Sequence, residues 1–202
     1  MKGRNHFVIG MATAMLPQGA VPFVHAHSLL GVTLEPRWMF LPALGVAAMG
    51  ALLPDIDLAT SLISHDTGTG LGQGCVTGFI FHWIRKLLGG HRGLTHSLWA
   101  ALGCALVFGL NVGTLQLGDY SLPVTWNGVL GSWSDLGTAF TLGYFSHILA
   151  DMLTKEGVRF GYPLSQAEIG LGPRGLRFSN GSWLEYVWVV VWVVAALWHW
   201  LL

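Results

Sequence analysis

The sequence predicts an all-α fold, a polytopic membrane helix bundle of about five transmembrane helices with one amphipathic surface helix on the cytoplasmic side. Three observations carry this. Hydrophobic residues make up 52% of the 202 positions while charged residues make up only 10%, against roughly 25% charged in an ordinary soluble domain. Five windows approach the length of about 20 apolar residues that a bilayer requires. The basic residues between those windows fall almost entirely on one side.

The windows are 7–28, 38–53, 97–118, 133–152 and 183–202 of a single integral membrane domain spanning 1–202. The first is uncharged but holds Pro17, Gln18 and Pro22. Its basic lead-in, Met1-Lys2-Gly3-Arg4, resembles a signal sequence, yet no small-residue cleavage site follows, so it is expected to be a retained helix. The second ends at Leu53-Pro54, where proline disfavours helix at the residue before it. The third is free of charge throughout. The fourth is more polar and carries His147. The fifth is the most apolar. With five crossings, Lys2, Arg4, Arg85, Lys86, Arg92, Lys155, Arg159, Arg174 and Arg177 share one side and only Arg37 lies opposite. Cytoplasmic loops collect Lys and Arg, so that side is expected to be cytoplasmic and the chain multi-pass, with the N-terminus inside and the C-terminus outside.

Between the second and third windows, Val76, Phe79, Ile80, Trp83, Ile84, Leu87 and Leu88 follow one helical stripe. Arg85 and Lys86 lie off it, which suits a helix resting on an anionic lipid surface. The glycines of 68–78 match no phosphate-binding fingerprint and are read as loop. Cys75 and Cys104 lack a CxxC pattern and are read as free thiols. Ten basic residues balance ten acidic ones, so no field recruits nucleic acid, and the expected partner is the lipid bilayer.

The chemistry gathers at the cytoplasmic ends of the windows. His147 and Asp151 are four residues apart, about 40° on a helix, so they stack one turn from each other. Asp55 and Asp57 emerge together where Pro54 ends a helix. His91 and His96 bracket Gly93 in a loop-to-helix junction, and His6 opens the first window at the same depth. An ionisable group at membrane depth costs a few kcal/mol unless it is paired or functional. Imidazoles with carboxylates are borderline-soft donors, suited to zinc, manganese or iron. His25, His27 and His199 belong to the other side, and His65 and His82 have no partner spacing.

The strings LLPDID, GHRGLTHS and GYFSHILADMLTKEGVRFGYPLS, in this order, resemble the YdjM-type family of inner-membrane proteins, described as membrane-bound metal-dependent hydrolases. The resemblance runs from His6 to about Ser165. It implies a metal site at His6, Asp55, Asp57, His91, His96, His147 and Asp151, with Arg92, Thr95, Ser97 and Ser146 beside it. Relatives often carry a histidine after the second aspartate, where this chain has Leu58.

The expected function is therefore a membrane-embedded hydrolase holding one or two divalent ions at the cytoplasmic membrane face. Asp57 or Asp151 would serve as a base, and Arg92, with Arg159, Arg174 or Arg177, would clamp an anionic phosphoester or lipid substrate. A non-catalytic protein with a structural metal is the second reading, and a metal or ion transporter the third. Against the transporter, the cluster stops near one membrane face instead of continuing across.

Overall fold

A computed structural model of the chain describes residues 1, 3–15, 27–29, 32–34, 36–57, 92–117, 120–126 and 134–201. Its elements are α1 (Gly3–Met15), β1 (His27–Leu29), β2 (Val32–Leu34), α2 (Pro36–Leu52), α3 (Leu98–Phe108), β3 (Leu110–Leu117), β4 (Tyr120–Trp126), α4 (Ser134–Met152) and α5 (Trp183–Leu201), with short 3₁₀ turns at Leu53–Asp57, Leu94–His96 and Arg174–Leu176.

Five α-helices lie among the described residues, and three of them follow their windows to within a few residues. α2 begins on Pro36, whose missing N–H is no loss at a first helical position, and it closes into the 3₁₀ turn that presents Asp55. Among the described residues, however, no helix is long and apolar enough to cross a membrane. Two corrections concern the expectation of a wholly helical chain. The window 97–118 is helical only to Phe108, because Gly109 takes φ +97° and closes α3 by donating its N–H to the Ala105 carbonyl. The chain then runs as β3, antiparallel to β4, with Leu117 opposite Tyr120. The window 7–28 likewise gives a helix that starts earlier, at Gly3, and His27 to Leu29 pairs with Val32 to Leu34 as a second hairpin. Leu-Asn-Val-Gly-Thr-Leu-Gln-Leu satisfies a test for missing charge, but β-branched residues and glycine make it a poor helix. The predicted surface helix at 76–88, Cys75 and His91 lie outside the described residues. Cys104 is a free thiol.

The interior is built from small residues. Ala43, Ala47, Ala51, Ala12, Ala14 and Ala139 are buried, and α2 and α4 interlock reciprocally through two glycines. A Cβ on Gly143 would strike the Ala47 carbonyl, and one on Gly50 would strike the Phe140 carbonyl. Close approach of this kind is what small residues permit where helices pack without bulky side chains between them. Large apolar residues instead face outward, among them Leu41 and Met49 on α2, Trp99, Leu102 and Leu106 on α3, and Trp183, Val190, Val194 and Trp198 on α5.

α5 docks on α1 through polar contacts. Glu185 is fully buried and accepts from Asn5 Nδ2 and from the Gly181 N–H. Trp192 Nε1 donates to Thr13 Oγ1 at 3.0 Å. Between α4 and α5, residues 153–182 fold back over the ends of α3 and α4. Val158 pairs with Ile169, Thr154 with Phe178, and the Leu98 N–H donates to the Phe160 carbonyl.

Candidate metal centre

Four segments converge at one end of the bundle. α1 supplies His6, the turn after α2 supplies Asp55, the turn before α3 supplies Arg92, Thr95 and His96, and α4 supplies Tyr144, His147 and Asp151. His6, His96, His147 and Asp151 are each no more than 1% exposed, and Asp55 is 5% exposed. Five of the seven predicted metal-site residues therefore meet. Asp57 ends the same 3₁₀ turn as Asp55, with its side chain outside what is described, and His91 is outside it altogether.

His147 is the hub. Its Nδ1 lies 2.6 Å from the Ala51 carbonyl oxygen. A carbonyl only accepts, so Nδ1 carries the proton and donates it, leaving the Nε2 lone pair free. This arrangement, a backbone carbonyl fixing the tautomer, is the usual support for a metal-ligating imidazole. That lone pair faces His96 Nε2 at 3.1 Å. Asp55 Oδ1 stands 3.6 Å from His96 Nε2 and 3.7 Å from His147 Nε2. Asp151 Oδ2 approaches the same two nitrogens at 3.6 and 3.8 Å. Donors about 2.0–2.1 Å from a tetrahedral zinc lie about 3.3 Å from one another, close to these separations.

Each donor has a support of its own. Thr95 Oγ1 lies 3.1 Å from His96 Nδ1, and the buried Tyr144 hydroxyl donates to the Thr95 carbonyl, so α4 braces the turn that carries His96. Arg92, at φ +62°, reaches Asp151 Oδ2 with Nη2 at 3.3 Å, and with Nη1 reaches Glu156 and the Gly157 carbonyl, both at 2.9 Å. The Met1 amino group is 2.9 Å from Asp151 Oδ1. Burial raises the pKa of Asp55, but its close contact with His96 and the nearby His147 and His6 outweigh that and hold the carboxyl well below the usual carboxylate range. It is ionised at neutral pH, as a metal ligand must be.

Two groupings of buried donors can each hold a metal ion, His6 with His147 and Asp151, and Asp55 with His96 and His147. Each is two imidazoles and one carboxylate. Both His6 ring nitrogens are buried and make no hydrogen bond, although Nε2 sits 3.3 Å from Asp151 Oδ1.

Of the other predicted residues, Ser97 caps α3, its hydroxyl accepting from the Ala100 N–H and donating to the Leu94 carbonyl. Ser146 donates to the Gly143 carbonyl within its own helix. Arg177 donates to the carbonyls of Gly170 and Gly172, and Arg159 lies 3.9 Å from Glu168. Tyr144, Glu156 and the Ala51 carbonyl are not foreseen from sequence. Tyr144 leaves a readable sign, since it lies three residues before His147 and so shares its helix face.

No solved structure matches this chain. The Inner membrane protein YdjM of Escherichia coli K12 and that of Shigella flexneri are each 36% identical to it over 166 residues, covering 81% of this chain and 66% of theirs. The chain thus spans just under two thirds of the curated relatives it matches. The family described as YdjM inner membrane protein matches over residues 1–202, and the chain belongs to that family.

Proposed function

We propose that this protein is a metal-dependent hydrolase of the inner membrane whose site opens at the cytoplasmic membrane face and acts on a phosphoester or lipid substrate. The observation that carries the reading is the buried meeting of His96 Nε2 and His147 Nε2 at 3.1 Å with the Asp55 and Asp151 carboxylates each within 3.8 Å of both nitrogens. Two histidines and one carboxylate are the donor set of many catalytic zinc sites, which keep a fourth position for water, and zinc is the metal assigned, ahead of manganese or iron.

The divalent ion supplies Lewis acidity and lowers the pKa of a water. The chain's own residues do the rest. Asp55, ionised by its histidine neighbours, and His147, locked in its tautomer by Ala51, are donors that need no rearrangement. Asp151 Oδ2 faces the same nitrogens and is placed to take the proton of an attacking water. Arg92 holds that oxygen in place and balances its charge. Glu156, 63% exposed along its side chain, marks the end of this chain of contacts that solvent reaches.

A multi-pass arrangement with the N-terminus inside is supported by the basic residues gathered on one side in sequence and by the large apolar side chains turned outward from an Ala- and Gly-rich interior. Solvent water would penalise such a surface and lipid would not.

The test is turnover of a chromogenic phosphodiester and of phospholipids by the purified, zinc-loaded chain in detergent. Hydrolysis that disappears on chelation, returns with zinc and is absent from His147→Gln is the expected result. A chain that binds zinc but turns over none of these substrates would leave the metal a structural role.

A further inference from the structure

Resting on that reading, the ring geometry points to a partition of the three histidines gathered at the site: His96 and His147 ligate a single divalent cation together with Asp55, while His6 stays outside the coordination shell as a stacked positioning residue. An imidazole binds metal through a lone pair in the plane of its ring, with the ion about 2.0–2.1 Å from the nitrogen. The His6 and His147 rings stack with centroids 3.7 Å apart and planes inclined by only 18°. Planes so nearly parallel do not meet within bonding range, so an ion in line with one lone pair misses the other. The His96 and His147 rings stand edge to face instead, 63° apart with centroids at 5.0 Å, and their Nε2 atoms turn toward each other at 3.1 Å.

Proximity alone groups His6, His147 and Asp151 as readily as Asp55, His96 and His147. Counting lone pairs separates them. His147 Nδ1 is committed to the Ala51 carbonyl, which leaves one coordinating lone pair, so His147 serves one ion and the two groupings cannot be filled together. Orientation assigns that lone pair to the side of Asp55 and His96. His6 then acts through others, pressing on the face of the His147 ring and lying 3.3 Å from Asp151 Oδ1. This sets His6 apart from the ligand set that the sequence resemblance implies.

The experiment uses the full chain in detergent, with zinc as the probe. X-ray absorption at the zinc edge counts imidazoles through their multiple-scattering pattern. His6→Phe keeps a flat ring to stack on His147 but carries no nitrogen. The expected result is an imidazole count unchanged from wild type and a zinc affinity within about three-fold of it, whereas His96→Gln loses one imidazole and at least about 100-fold in affinity. Loss of an imidazole in His6→Phe overturns the partition. Should that variant not fold, wild-type chain loaded with ¹¹³Cd and labelled with ¹⁵N-histidine answers the same question. Coupling at His96 and His147 Nε2 with none at His6 supports the assignment, and coupling at His6 overturns it. A wild-type chain that binds neither metal removes the proposed function itself and the partition with it, a result distinct from a third imidazole.

Discussion

Two places in this bundle bury ionisable side chains, and they solve the problem differently. At the α1 and α5 junction, Glu185 is satisfied by the chain alone, through Asn5 Nδ2 and the Gly181 N–H. At the junction of α1, α2 and α4, three imidazoles and two carboxylates are packed together, and His6 is left with two buried nitrogens that make no hydrogen bond. The first arrangement is complete and fastens one helix to another. The second sets two imidazole Nε2 atoms 3.1 Å apart with a carboxylate oxygen of Asp55 and one of Asp151 within 3.8 Å of both, a convergence of lone pairs that a cation would satisfy. Burial alone therefore does not separate the two junctions, whereas the convergence of lone pairs does.

The sharpest way to break the contrast is at the hub. His147→Gln is expected to lower zinc affinity by at least about 100-fold, read by competition with a chromogenic chelator, while Glu185→Gln leaves zinc binding unchanged. If both variants lose zinc equally, the two junctions are not independent. Gly143→Leu attacks the scaffold both junctions share, since the Ala47 carbonyl occupies the space its side chain would need. A loss of about 3 kcal/mol or more, or failure to assemble, is expected in thermal unfolding in detergent.

Smaller effects sharpen the comparison. Arg92→Ala removes the cation that holds Asp151 Oδ2 and should lower phosphodiester turnover by about 10- to 100-fold, with partial recovery in Arg92→Lys, because an ammonium replaces the charge but not the fork that also reaches Gly157 and Glu156. Glu185→Ala, which strands the Asn5 amide and the Gly181 N–H, is expected to cost about 1–3 kcal/mol of stability with no change in metal content.

Much of the His/Asp cluster was legible in the sequence for one physical reason: ionisable residues stand out in an apolar chain. His147 and Asp151 showed themselves by helical spacing, Asp55 by the proline before it, and His96 by the glycine that opens its turn. The Ala51 carbonyl that sets the His147 tautomer has no sequence signature, because any residue at the end of α2 brings one. The stacking of His6 on His147 depends on the angle between α1 and α4, which spacing does not encode. The β3–β4 hairpin escaped because a test for missing charge does not separate an apolar helix from an apolar strand. Its alternation and its glycines carried that information.

The account stands most directly on metal content. Equilibrium dialysis of the purified chain against zinc, followed by elemental analysis, should find about one tightly held ion per chain, and none when His147 is replaced by Gln. A wild-type chain that retains no zinc, manganese or iron after dialysis would contradict the central claim.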